Sequence, residues 1–268
     1  MTALALGPAV GQTRPMRATI AAEEPRAALA VEAVPPLPSL SAFFPARDEE
    51  ANLLPMAQAM LRVLPAVAER WELIIVDDGS RDATGALADE LARAHPKVRV
   101  IHHPVGRGYG AAIRSGLRAA RHDYVFFTDG DRQFDPAEIT ALIDRVDGAD
   151  VVVGYRHARS DPLARRLNSA AWNLLVRALL RLPVRDVNCA FKLFRRAALD
   201  GIELEADGAM VSTELLARIC RRGLRVVEVP VDHFPRRAGA PSGARPRVVA
   251  RAFVELVRLH RRLRDPRP

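Results

Sequence analysis

Asp129 and Asp131 are separated by one glycine and follow directly on the apolar run Val125-Phe126-Phe127. If the chain stays extended there, both carboxylates turn toward one point just past a strand end. Open α/β sheets bind ligands at that edge. A hard divalent cation, shared between a few carboxylate oxygens and substrate phosphates, suits such a pair. Gln133 extends the pattern to Asp129-x-Asp131-x-Gln133. The chemistry is then Mg²⁺ or Mn²⁺ bridging two phosphates and neutralising a departing diphosphate. The plain alternative is a solvated turn, with Asp135 capping a helix that opens at Pro136. An EF-hand is excluded, because Phe134 and Thr140 stand where it needs glycine and glutamate.

Asp77-Asp78-Gly79-Ser80 repeats this logic after the apolar run Leu73-Ile74-Ile75-Val76. Its acids suit the hydrogen-bonding edge of a base or ribose, or simply cap the next helix. Gly106-x-Gly108-x-x-Ala111 matches a dinucleotide fingerprint by letter only. It neither follows its strand directly nor lies in the first strand–helix unit. A glycine loop that lets backbone approach a phosphate or ribose fits better, as does a plain flexible loop. Arg156, Arg165, Arg166, Arg236 and Arg237 are candidate forks for phosphate, although exposed arginines are commonly solvated and nothing more.

The elements that must position these residues alternate. Strands are predicted at 39–45, 72–76, 97–101, 123–128 and 150–154, with helices at 49–70, 82–94 and 111–121 and one opening at Pro136. Pro55 and Pro65 are expected at a turn or an end of the first helix. This half reads as α/β with a largely parallel sheet. The second half reads as a helix over 162–182, a loop and short strand over 186–194, a helix over 211–222, a strand over 224–231, a loop rich in Pro, Gly and Arg, and a basic amphipathic helix over 246–264. The partition is a disordered leader over 1–38, one domain over 39–246, and a basic helix and tail over 247–268.

The chain has 268 residues, 49% apolar, with a formal charge of +8. Only Lys97 and Lys192 are lysines, so the positive charge is arginine, which grips phosphate in a bidentate fork. Residues 245–268 hold eight arginines against Glu255 and Asp265. Aromatic content is 5%, with no aromatics interleaved among basic residues, which argues against nucleic acid. Cys189 and Cys220 form no CxxC pair and read as reduced thiols. No apolar run reaches the ~18 residues of a spanning helix, and no basic n-region precedes residues 4–10. The expected compartment is the cytoplasm.

Together the ordered motifs resemble family 2 glycosyltransferases, and within them the branch acting on polyprenyl or dolichyl phosphate. They are Phe44-Pro45-Ala46-Arg47-Asp48-Glu49-Glu50, Ile75-Val76-Asp77-Asp78-Gly79-Ser80, Arg107-Gly108-Tyr109-Gly110-Ala111, Thr128 to Phe134, Val153-Gly154-Tyr155-Arg156, and Arg236-Arg237-x-Gly239 with Ser242. The resemblance implies a GT-A fold and an inverting transfer of a hexose from a nucleotide diphosphate sugar, GDP-mannose or UDP-glucose, to polyprenyl phosphate. Pro45, Glu49 and Asp78 would line the nucleotide pocket with Asp77 nearby, and Asp129, Asp131 and Gln133 would hold Mg²⁺ or Mn²⁺. Arg156 and Arg166 would meet phosphate. Asp186 would sit near the reacting sugar, and Glu214 matches an acid that serves as base in other members. Arg47, Gly108, Gly130, Arg237 and Ser242 complete the substrate-binding set, with Asp129 counted among the catalytic acids.

A saccharide or other hydroxyl acceptor, and a non-catalytic nucleotide-sugar or nucleic-acid binding protein, are the alternatives. Two positions depart from the family pattern. Arg47-Asp48 stands where a Tyr-Asn pair is usual, and Gly106 where Asn is common, so the resemblance leaves the base open. Val248, Val249, Phe253, Leu256, Val257 and Leu263 share an apolar side of the last helix, ringed by arginines. That side suits peripheral binding at an anionic membrane face or packing on the domain.

Overall fold

A computed structural model describes residues 34–159, 163–236 and 246–264, without the side chains of 158–168 and 246–251. The element order is β1 (Leu37–Ala46), α1 (Glu50–Val67), β2 (Ala68–Asp77), α2 (Thr84–Ala94), β3 (Val98–His102), α3 (Tyr109–Ala119), β4 (Tyr124–Thr128), α4 (Ile139–Ile143), β5 (Val151–Arg159), α5 (Leu163–Leu180), β6 (Phe191–Arg195), α6 (Met210–Arg221), β7 (Val226–His233) and α7 (Pro246–Arg264). Short 3-10 turns precede α4 and follow β6.

The seven strands form one sheet in the order β3-β2-β1-β4-β6-β5-β7. All pairs are parallel except those made by β6, which runs antiparallel to both β4 and β5. The largely parallel sheet expected from the alternation is therefore present, with one reversed strand in its second half. The register aligns Ala46 with Asp77 and Thr128 with Phe191. The carboxyl ends of β1, β2 and β4 thus share an edge with the amino end of β6. That edge carries the candidate site.

Aromatic rings tie the centre together. Phe43 on β1 stacks on Phe127 of β4 at 5.4 Å, and Phe127 stacks on Phe194 of β6 at 6.0 Å. Phe126 meets Phe191 edge-on at 4.8 Å. All five rings are fully buried, each worth about 1.5–3 kcal/mol in burial. Helix α3 lies close on this layer, since a Cβ at Gly116 would fall 2.7 Å from Phe43 Cγ.

Two expectations are corrected. β1 begins at Leu37, two residues before the predicted start. Pro55 lies inside α1 rather than at a turn or an end, while Pro65 falls in its last turn. The reason is packing: Leu53, Met56, Ala57, Met60 and Leu64 form one buried stripe that a break at Pro55 would divide. Burial also divides α7, where Leu256 and Leu259 face inward and Phe253, Val254 and Val257 remain exposed.

Candidate active site

A cleft of about 710 Å³ opens at the shared strand edge. The end of β1 contributes Pro45 to Glu49, the end of β2 Asp78, and the end of β4 Asp129 to Asp131. Gly108, Tyr109 and Ala112 at the start of α3 form one wall, and Arg236 lies across the acids. Nine predicted residues meet here: Pro45, Arg47, Glu49, Asp78, Gly108, Asp129, Gly130, Asp131 and the candidate fork Arg236.

The acid pair sits at the floor. Tyr109 donates its hydroxyl to Asp129 Oδ1 at 2.9 Å. Burial, reinforced by the neighbouring Asp131 charge, pushes the Asp129 carboxyl up to about 7. Arg236 Nη2 donates to Asp131 Oδ2 at 2.7 Å, and its Nη1 to Glu49 Oε1 at 3.0 Å. Gln133 turns elsewhere: its side-chain amide donates to the Phe234 carbonyl at 3.1 Å, and its own carbonyl accepts from Phe234 N–H at 2.9 Å. Gln133 therefore tethers the segment that delivers Arg236. Arg132, between the two, adopts a left-handed φ of 61° and is not among the residues lining the cleft.

The donor set fits a hard cation. Two carboxylates crowd one strand end, and a guanidinium already stands against Asp131 as a positive partner. Among the described residues no cluster of three or more His, Cys, Asp or Glu converges on one point. An ion held here would take its remaining ligands from a bound phosphate or water.

At the β2 end the Asp78 carboxylate is buried and heavily engaged. It accepts from His103 Nδ1 at 2.7 Å, from the Arg107 and Gly108 N–H groups at 2.8 Å each, and from Arg47 Nη1 at 3.4 Å. It so fixes the glycine turn as the cleft wall. Gly108 has a φ of 99°, and a Cβ there would meet the Asp207 carbonyl at 2.7 Å. Asp77 does not line the cleft. It accepts from Ser80 N–H at 3.0 Å and pairs with His102 Nδ1 at 2.9 Å. Burial opposes its ionisation, but these bonds outweigh it and hold the carboxyl below its usual range.

The remaining predicted residues lie behind or beside the cleft. Asp186 and Arg156 form a bidentate fork at 2.7 and 2.8 Å, both largely buried. The phosphate grip expected of Arg156 is thus directed at the acid expected near the sugar. Glu214, on α6, accepts from Glu205 and Ala206 N–H and from two nitrogens of Arg218, all within 3.0 Å. It clamps the loop whose Asp207 carbonyl accepts from Gly110 N–H at 2.8 Å, so its role here is to back the α3 wall. The side chain of Arg166, and Arg237 and Ser242 entirely, lie outside the described residues.

Sequence reasoning missed Tyr109, Asp48 and Ala112 as site residues. Tyr109 and Asp48 stood in quoted motifs, but nothing local distinguished them from their neighbours. Lys192 was also missed. It is fully buried, donates to the Cys189 carbonyl, and lies over the Phe127 ring at 5.4 Å. Burial holds its ammonium below the ordinary range, and burial likewise pushes the Cys189 thiol up to about 12.

Comparison with known proteins gives one consistent answer. Residues 41–202 match the model of glycosyl transferase family 2. The chain is 34% identical over 210 residues to polyprenol monophosphomannose synthase of Mycolicibacterium smegmatis, covering 74% of this chain and 78% of that protein. It is 31% identical over 222 residues to undecaprenyl-phosphate mannosyltransferase of Micrococcus luteus, covering 78% and 89%. A longer relative, 34% identical over 205 residues, is spanned over only 32% of its length. The fold resembles glucosyl-3-phosphoglycerate synthase from Mycobacterium tuberculosis, crystallised with Mn²⁺, uridine diphosphate and phosphoglyceric acid, with a TM-score of 0.67, 23% identity, and 83% and 78% coverage.

Proposed function

The chain belongs to glycosyl transferase family 2 and has the GT-A fold, and from that premise we propose an inverting hexose transfer from a nucleoside diphosphate sugar to polyprenyl phosphate. The observation that carries the donor half is the Asp129–Asp131 pair facing Arg236 in the cleft. These groups suit a diphosphate accompanied by a cation. Asp129 and Asp131 would hold Mg²⁺ or Mn²⁺, which supplies positive charge to the leaving diphosphate. Arg236 is positioned to turn from the acids to the phosphates, and Tyr109 orients Asp129.

The acceptor half rests on the two relatives named for polyprenol and undecaprenyl phosphate and on the state of the candidate bases. Asp186 is forked by Arg156, and Glu214 accepts four hydrogen bonds. A hydroxyl acceptor must lose a proton to a base. A phosphate acceptor is already an anion and attacks the anomeric carbon without one.

The surface agrees with a lipid acceptor. Leu174 on α5 and Phe253, Val254 and Val257 on α7 are exposed, and Trp172 joins the two helices through an edge-on contact with Phe253 at 5.0 Å. Exposed Arg177, Arg258, Arg261 and Arg262 flank them. An apolar strip rimmed by arginine suits the interface of an anionic membrane. No helix of the described residues is long and apolar enough to cross a membrane.

The test is a donor panel of GDP-mannose, UDP-glucose and UDP-N-acetylglucosamine with polyprenyl phosphate and Mg²⁺ or Mn²⁺. Product on the lipid is expected with one donor, and only with metal. Transfer to a soluble saccharide but never to the lipid would overturn the acceptor assignment.

A further inference from the structure

The two positions that depart from the family pattern, Arg47 and Gly106, meet in space. A Cβ on Gly106 would lie 2.5 Å from Arg47 Nη2 and closer still to Nη1 and Cζ. No side chain fits at residue 106 while the guanidinium keeps its place. The missing side chain is therefore the room that Arg47 occupies. Arg47 lines the cleft, with its side chain 47% exposed, and its Nη1 lies 3.4 Å from Asp78 Oδ2.

The sheet order fixes which end of the cleft this is. Asp78 follows β2, and Asp129 and Asp131 follow β4, with β1 between them. Adjacent strands are about 4.8 Å apart, so the two ends are separated by roughly 10 Å. With the diphosphate at the acids, the base falls at Arg47 and Asp78.

We propose that Arg47, in the space left by Gly106, selects guanine as the base of the donor nucleotide. This inference rests on the cleft being the donor site. A guanidinium offers two parallel N–H donors. Among the edges the bases turn toward the major groove, guanine alone presents two adjacent acceptors, O6 and N7. Adenine places an amino donor beside N7, cytosine offers an adjacent pair only as N3 and O2 next to its amino donor, and the two carbonyls of uracil are separated by an N–H. Asp78 holds the fork from behind while its other bonds fix the wall at Arg107 and Gly108.

The experiment is calorimetric titration of the full chain with GDP and with UDP, each with Mn²⁺. Wild-type protein is expected to bind GDP at least about tenfold more tightly. Arg47→Ala should lose about 5- to 100-fold in GDP affinity, on the scale of one bidentate base contact, and leave UDP affinity unchanged. Gly106→Ala should reproduce that loss by displacing the guanidinium. The double variant should lose no more than either single one, because both remove the same contact. Arg47→Lys keeps the charge without the fork and should resemble Arg47→Ala. Equal losses for GDP and UDP would show that Arg47 grips phosphate and would overturn the assignment, as would tighter UDP binding by the wild type. If neither nucleotide binds folded wild-type protein, the donor-site reading itself fails. Thermal melting confirms that each variant is folded.

Discussion

Arg236 places one guanidinium nitrogen 2.7 Å from Asp131 Oδ2, so a residue remote in sequence neutralises an acid at the end of β4. Its other arm holds Glu49 at 3.0 Å, bridging the ends of β1 and β4. The arginine stands where a bound divalent cation would bring positive charge.

Removing it has opposite effects on the two partners of the cleft. Arg236→Ala is expected to raise Mn²⁺ affinity of donor-free protein by about tenfold, because a competing cation leaves Asp131. The same variant should lower kcat/KM, since the fork no longer meets the phosphates. Asp131→Ala should abolish both metal-dependent nucleotide binding and turnover. Calorimetry with Mn²⁺ alone, followed by steady-state rates, reads all three. Unchanged Mn²⁺ binding in Arg236→Ala would remove the competition argument.

The Asp186–Arg156 fork makes a stability prediction. Asp186→Asn removes the bidentate carboxylate from a largely buried guanidinium, at a cost of about 3–5 kcal/mol. Urea denaturation measures this directly. With a phosphate acceptor, the surviving folded fraction should keep the wild-type pH–rate profile. Disappearance of an acidic limb in the profile would instead assign Asp186 as the base.

Glu214→Gln should act on the donor site from a distance. The neutral amide weakens the bonds to Arg218 and to the Glu205 and Ala206 N–H groups, by about 1.5–3 kcal/mol in all. The loop they hold supports Gly108 and Gly110. A raised KM for the donor at nearly constant kcat is therefore expected. A large fall in kcat with KM intact would contradict a positioning role.

His102 links stability to pH. Its hydrogen bonds, first to Asp77 and then to Asp89, raise its pKa above 6.5. The folded state thus binds the proton more tightly than the unfolded chain. This contribution is complete below about pH 6.5 and is lost as pH rises through the raised value. Asp77 works in the other direction: its depressed carboxyl stabilises above 3.8 and that gain is lost as pH falls through the folded value. In His102→Gln, denaturation midpoints should no longer decline as pH rises above 6.5 to the extent seen in wild type. An unaltered decline would locate the pH sensitivity elsewhere.

Much of this was legible in the sequence because it was local. The strands end where apolar runs meet acids, so Asp78, Asp129 and Asp131 announced their edge of the sheet. The glycine turn before α3 was marked by Gly106, Gly108 and Gly110. What was not legible depended on pairing across the fold. Nothing around Gln133 shows that it will hold Phe234, and nothing around Arg156 or Asp186 shows that each is the other's partner. Pro55 of α1 misled for the same reason. Local propensity opposed a continuous helix, and a buried stripe that only the sheet defines prevailed. Arg47 and Gly106 read as two separate departures until their proximity made them one.

The reversed strand has a consequence for how the molecule assembles. β6 lies between β4 and β5 in the sheet but follows both in the chain. β4 and β5 therefore cannot complete their pairing until a later segment arrives between them, a long loop closure that slows folding. Until then β4 presents an unpaired edge, a template for association with other chains. The half-sheet β3-β2-β1-β4 is expected to gain protection first in pulsed hydrogen exchange, with β5, β6 and β7 following together. Simultaneous protection of all seven strands would rule out this order. Before β6 docks, the acids of the cleft have a floor but no Asp186 loop beside them.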